Sequence, residues 1–217
     1  MGLLGATRDP KVFLALVIAF VVAISIHEAC HALAATRLGD PTPKLQGRLT
    51  LNPLRHLDPI GTLLLVVAGF GWGRPVMINP QNLRFGVRRG MAVVSAAGPA
   101  SNLAMAGVLG PLVRQIAGDE QGLLFGGEFL TVLLLLTIQI NIVLAVFNLI
   151  PIPPLDGFGV LYGIVGPETA MRLDPLRRYG PLILIGVVFL GPMVGINLFE
   201  SVLLPPVEFL HNLIVGG

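Results

Sequence analysis

The residues best equipped for chemistry are His27, Glu28 and His31, within His27-Glu28-Ala29-Cys30-His31. On an α-helix, imidazoles four residues apart lie about 40° apart around the axis and roughly 6 Å apart along it, so both can turn onto one zinc ion. The glutamate directly after the first histidine cannot easily share that ion but can reach a water beside it, which makes Glu28 a general base. Zinc in a hydrolase takes three protein ligands and leaves one position open, so a third ligand must come from elsewhere in the chain. Asp156 is the best placed, on a proline-rich turn and followed by Gly157; Glu200 and His56 compete with it. Cys30 is the only cysteine, so a cysteine-rich zinc site and an intrachain disulfide are both excluded. It points away from the histidine face and reads as packing.

The elements that must hold these groups are apolar. Of 217 residues, 54% are hydrophobic and 12% charged, about half the charged share of a soluble domain. The composition indicates an all-α polytopic membrane protein forming a single domain, residues 1–217, with its core at 11–166. The net charge of +2 is small, and its basic residues sit in loops, so no nucleic-acid partner is implied. Lys11, an apolar stretch and Ala32-Leu33-Ala34 loosely imitate a secretory leader. A His-Glu-Cys-His cluster is a poor end to such a segment, however, and cleavage there would discard the catalytic residues.

Four full spans are expected: Lys11 to Thr36, Met91 to about Val113, Glu128 to Ile150, and Leu182 to about Leu204 stopped by Pro205-Pro206. The tail to Gly217 is too brief to cross again. Alternation in Lys44-Leu45-Gln46-Gly47-Arg48-Leu49 suits a short strand in a β-like loop. The run Ile60 to Phe70 is only half a bilayer long. If it re-enters rather than crosses, eleven of the fourteen Lys and Arg residues fall on one side, which satisfies the positive-inside rule. The same choice puts the ends of the first and third spans on one face, near the cytoplasm, as a shared metal requires. The expected location is therefore the cell (inner) membrane.

Ionisable groups inside a span cost on the order of 2.5–3.5 kcal/mol each on insertion scales, so His27, Glu28 and His31 need partners there, and a metal supplies them. Asn148, near the end of the third span, either bonds a neighbouring helix or binds a substrate peptide. Asn102 reads as structural, in a Gly98-Pro99-Ala100-Ser101-Asn102 kink that frees carbonyls. His211 reads as an interfacial side chain. His56 stands in a polar loop beside Arg55 and Asp58, where it is either bland or oriented toward the site.

Three signatures in order, His27-Glu28-Ala29-Cys30-His31, Gly98-Pro99-Ala100-Ser101-Asn102 and Asn148-Leu-Ile-Pro-Ile-Pro-Pro-Leu-Asp156-Gly157, resemble the site-2 protease family of intramembrane zinc metalloproteases, in its compact form without a PDZ or CBS domain. The resemblance covers most of residues 11–166. It implies that His27, His31 and Asp156 bind one Zn2+, that Glu28 activates the water, and that Asn148 binds or polarises the scissile peptide. The implied substrate is a membrane protein or transmembrane peptide, held by strand addition to the β-like loop. Family members often carry a further span before the metal helix, whereas this chain starts directly with it, which bears on how substrate is gated. The rival from another class is a membrane zinc transporter or metal-binding protein without protease activity.

Overall fold

The structure, a computed structural model, describes residues 9–216 except 69–70, 119, 196 and 198. Helix α1 (Pro10–Arg37) opens on a proline that needs no hydrogen-bond partner for a missing N–H, capped by Asp9, whose carboxylate accepts from the Lys11 N–H at 2.8 Å. Its buried row is Ala15, Ala19 and Ala23, each with no exposed surface, continued at the same spacing by His27, His31 and Ala35. Small side chains let neighbouring helices approach closely. The histidines thus continue the face along which α1 packs in the bundle.

Two long helices complete the core of the bundle: α4 (Gly86–Gly118) and α5 (Glu120–Asn148), packed on each other and on α1. Between α1 and α4 lie α2 (Thr42–Leu45) and α3 (Pro59–Ala68); after α5 come α6 (Asp156–Ile164), α7 (Pro167–Ile185) and α8 (Leu204–Val215). Helix α6 packs on α4, and α8 packs on α4 and α5. Three helices are long and apolar enough to cross a membrane, within Pro10–Arg37, Gly86–Ile116 and Phe129–Asn148. Outward leucines and valines such as Leu14, Val108 and Leu112 suit a lipid environment. The chain is a membrane protein.

Cross-helix bonds fix the directions. Asn102 donates to the Ala23 carbonyl while His31 meets the Val94 carbonyl, so α1 and α4 are antiparallel; Asn102 also donates to Asn141, and α5 then runs on to Asn148 beside α6. Residues 38–85 therefore leave and rejoin the bundle at the same end. Helix α3, ten residues and about 15 Å long, is half a bilayer. The re-entrant stretch was expected to reach Phe70, which lies outside the described residues, as do Asp119 of the expected loop and Ile196 and Leu198 of the expected last span.

Two expectations are corrected. Among the described residues there is no strand in the loop after α1, only an isolated antiparallel bridge, Leu57 to Gly73. The alternation at Lys44–Leu49 does not show as two faces: Leu45 is 81% exposed, next to exposed Lys44 and Gln46, and the one buried residue is Arg48, at 6%. Arg48 is drawn inward because its guanidinium donates to the Arg55 and Arg74 carbonyls. The last span is not one continuous helix. Helix α7 gives way to a wide turn at Gly186–Leu190 and a tight one at Gly191–Val194, and Gly195 has φ +79°, a left-handed conformation that favours glycine. Pro205-Pro206 open α8 rather than close a span, since the first turn of a helix requires no N–H from them.

One clasp holds the loop to the bundle. Asp40, fully buried, accepts from the Thr42 hydroxyl (2.6 Å) and N–H (3.1 Å), the Asn79 N–H (2.7 Å) and the Asn82 amide (3.1 Å). Burial alone would raise its pKa; the bonds from Thr42, Asn82 and the Asn79 backbone outweigh that and hold it below the usual carboxylate range. A depressed folded-state pKa makes the contribution complete above the unfolded value, near 3.9, and lost as pH falls through the folded value. Asp40→Asn should remove this acid limb from a melting-temperature profile and cost about 1–3 kcal/mol at neutral pH. An unchanged profile would mean the clasp contributes nothing.

Candidate metal centre

The rings of His27 and His31 stand edge to face, centroids 4.6 Å apart and planes at 82°. His27 Nδ1 lies 2.6 Å from Asn102 Oδ1, and His31 Nδ1 lies 2.7 Å from the Val94 carbonyl. Asn102 Nδ2 donates to Ala23 O and Asn141 Oδ1, so its oxygen is the atom that faces His27. Both partners of the histidines are acceptors, so each Nδ1 carries the proton and each Nε2 turns a lone pair inward.

Those two lone pairs face each other at 3.0 Å, and Asp156 Oδ2 lies 3.1 Å from one and 3.2 Å from the other. All three residues are largely buried, His27 at 3% and His31 at 7% exposure. Three electron-pair donors pressed together away from water repel unless a cation lies among them. Two imidazoles and a carboxylate match zinc, with a coordination position left for water. Among the described residues this is the metal-capable group, its ligand atoms all within 4.8 Å of one another. Glu200 is exposed and His56 is bonded elsewhere; neither belongs to the group.

Local backbone explains the convergence. Asp156 opens α6 after a turn in which the Ile152 N–H meets Ile150 O and the Leu155 N–H meets Ile152 O. Gly157 is pressed so closely on the Leu149 and Ile150 carbonyls that a Cβ has no room. Gly98 serves the histidines in the same way: a Cβ there would strike His31 Nε2 and His27 Cε1. Gly98→Ala should therefore cost about 1–3 kcal/mol of overpacking and weaken zinc binding while the helices persist. Full zinc affinity with an unchanged circular dichroism spectrum would contradict it.

Glu28, 8% exposed, lines a cavity of about 460 Å³ together with His27, His31, Asp156 and Asn148. One wall is the extended segment Pro75, Val76 and Ile78, pinned by the Asp40 clasp; the other includes Pro153 and Pro154, joined by a cis peptide bond. Near the rim, the Arg177 guanidinium lies 4.1 Å over the Tyr162 ring. Asn148 faces this space and also donates to Leu144 O at 2.9 Å. The structure thus brings His27, Glu28, His31, Asp156 and Asn148 together. Cys30 is half-buried with a free thiol, and His211 lies on α8.

Sequence reasoning left Asn102 as a structural residue and missed Asn141. Asn102 is the partner of His27, and a buried chain of amides runs behind it: Asn141 Nδ2 donates to Thr137 O at 2.8 Å. The available signal was the lone amide of Gly98-Pro99-Ala100-Ser101-Asn102, in a span where amides need partners. Ser101, in the same kink, donates to the Gly98 carbonyl at 2.6 Å.

The chain is 42% identical over 185 residues to the protein named "Putative zinc metalloprotease YwhC" of Bacillus subtilis, covering 82% of this chain and 81% of that one. The chain belongs to the site-2 protease family of zinc metalloproteases. Two mycobacterial members of that family, both named "Putative zinc metalloprotease Rip2", are 33% identical. The match covers 88% of this chain and 72% of the Mycolicibacterium smegmatis protein, and 89% and 74% for Mycobacterium tuberculosis. No family model and no solved structure matches the chain. Membership of this site-2 protease family supports a hydrolase whose metal is zinc, and the His27, His31 and Asp156 donor set fits that metal.

Proposed function

We propose that the chain is an intramembrane zinc endopeptidase, cutting peptide bonds in or near transmembrane segments of membrane protein substrates. The observation that carries the reading is the meeting of two inward lone pairs and a largely buried carboxylate beside Glu28, in a cavity inside an apolar bundle. His27, His31 and Asp156 would hold the metal. Bound zinc supplies polarisation of the scissile carbonyl and a lowered pKa for the attacking water.

The remaining work falls to the protein's own groups. Glu28 takes a proton from the attacking water and returns it to the departing amine. Asn102 and the Val94 carbonyl keep both rings in the Nδ1–H form throughout. Asn148, on the cavity wall, is placed to bond the substrate backbone. A substrate helix must unwind to enter, because its own hydrogen bonds shield each peptide bond, and the extended Pro75–Ile78 wall gives an extended chain something to lie against. The common end of α1 and α5, where 38–85 and 151–180 also lie, holds most of the positive charge, which supports a site near the cytoplasmic face of the cell membrane with α3 re-entrant.

Purified protein in proteoliposomes, offered a single-span substrate, should bind about one zinc per chain and release cut peptide. Zinc flux across the vesicle wall without cleavage would replace this reading with the transporter.

A further inference from the structure

His56 lies outside the metal set and has no exposed surface, yet half of its hydrogen-bonding capacity is unused. Its Nε2 sits 2.7 Å from the Thr50 carbonyl, an acceptor, so Nε2 carries the proton and Nδ1 presents a lone pair. That Nδ1 is fully buried and has no partner among the described residues. A buried acceptor left unmatched costs on the order of 1–3 kcal/mol, and the loop around it is firmly built. The His56 N–H meets Pro53 O, its carbonyl accepts from the Arg74 N–H at 2.6 Å, and Arg48 bridges Arg55 O and Arg74 O.

The loop is seated on the face of α1 that carries the base. Leu57 packs with Phe20 and Ile24, and Gly73 sits so near Ile24 and the His56 carbonyl that a Cβ there would strike the Ile24 side chain. Glu28 follows Ile24 by one helical turn on the same side. A carboxylate and an imidazole lone pair are both acceptors, and a single water with two O–H groups joins such a pair.

We propose that His56 is a positioning residue for Glu28, its Nδ1 accepting from a buried water whose other O–H is given to the Glu28 carboxylate. The water fixes the carboxylate's orientation toward the cavity. This inference rests on the proposed protease reading.

Two near-isosteres separate this role from packing. In His56→Asn the amide stands where Nδ1 stands and the Thr50 bond is lost; in His56→Gln the amide reaches Thr50 and the δ acceptor is lost. If His56 positions Glu28, His56→Gln lowers kcat roughly 10- to 100-fold with KM and zinc content unchanged, and His56→Asn keeps most of the activity. The opposite order, or equal loss in both with a lowered melting temperature, makes His56 a structural residue and overturns the proposal. An independent readout uses metal-free protein with 15N-labelled histidine: Glu28→Gln should shift the His56 Nδ1 resonance, and an unmoved signal also overturns it. A wild-type chain that binds zinc but cuts no membrane substrate removes the protease reading itself, an outcome distinct from either result at His56.

Discussion

Glu28→Gln is expected to keep the full complement of zinc and lose cleavage by roughly 10²- to 10⁴-fold, the span that general-base catalysis covers. The amide has the carboxylate's shape, so the cavity, the two rings and Asp156 stay in place, and what disappears is the capacity to take a proton from water. Glu28 is one residue from His27 and opens onto the same cavity, but it is not among the converging donor atoms. Zinc analysis and kinetics on the same preparation separate the two functions. A glutamine variant with wild-type kcat would sink the base assignment, and one that loses zinc would make Glu28 part of the metal set.

Asp156→Ala is the second large effect. It removes the one anionic donor from a set whose other two members are neutral, and leaves two lone pairs 3.0 Å apart. Zinc affinity should fall by more than the roughly 10- to 100-fold that loss of an outer partner costs, and activity at limiting zinc should fall with it. His27→Ala should behave alike. Competition with a chelator of known affinity measures both. Unchanged affinity in Asp156→Ala would point the third ligand elsewhere, and neither Glu200 nor His56 stands near enough to take its place without rearrangement.

Much of this centre could be read from residue types alone, because a helix converts spacing into direction. His27 and His31 are four apart, and a four-residue step on a helix is a geometric statement. Asp156-Gly157 was legible because an acidic group at the end of an apolar span has few uses. The support behind the ligands was less so. That Asn102 faces His27 depends on the antiparallel register of α1 and α4, which no local pattern encodes. The loop at Lys44–Leu49 misled because alternation assumes that charge points outward and leucine inward, whereas Arg48 finds two carbonyls inside and Leu45 stays exposed. Beyond Leu182, hydropathy registered an apolar stretch but not its glycines. Gly195 takes a left-handed conformation there, φ +79°, and an average over a window cannot register that.

The two histidines are anchored by different kinds of atom, and this sets what a mutational scan can see. His27 depends on the side chain of Asn102, so a single codon change at position 102 frees the ring. His31 depends on the main-chain oxygen of Val94, which every substitution at position 94 retains. An alanine scan of α4 would therefore report one support and stay silent on the other. Half of the scaffolding around the metal is invisible to side-chain genetics, and a scan that found only Asn102 would undercount it.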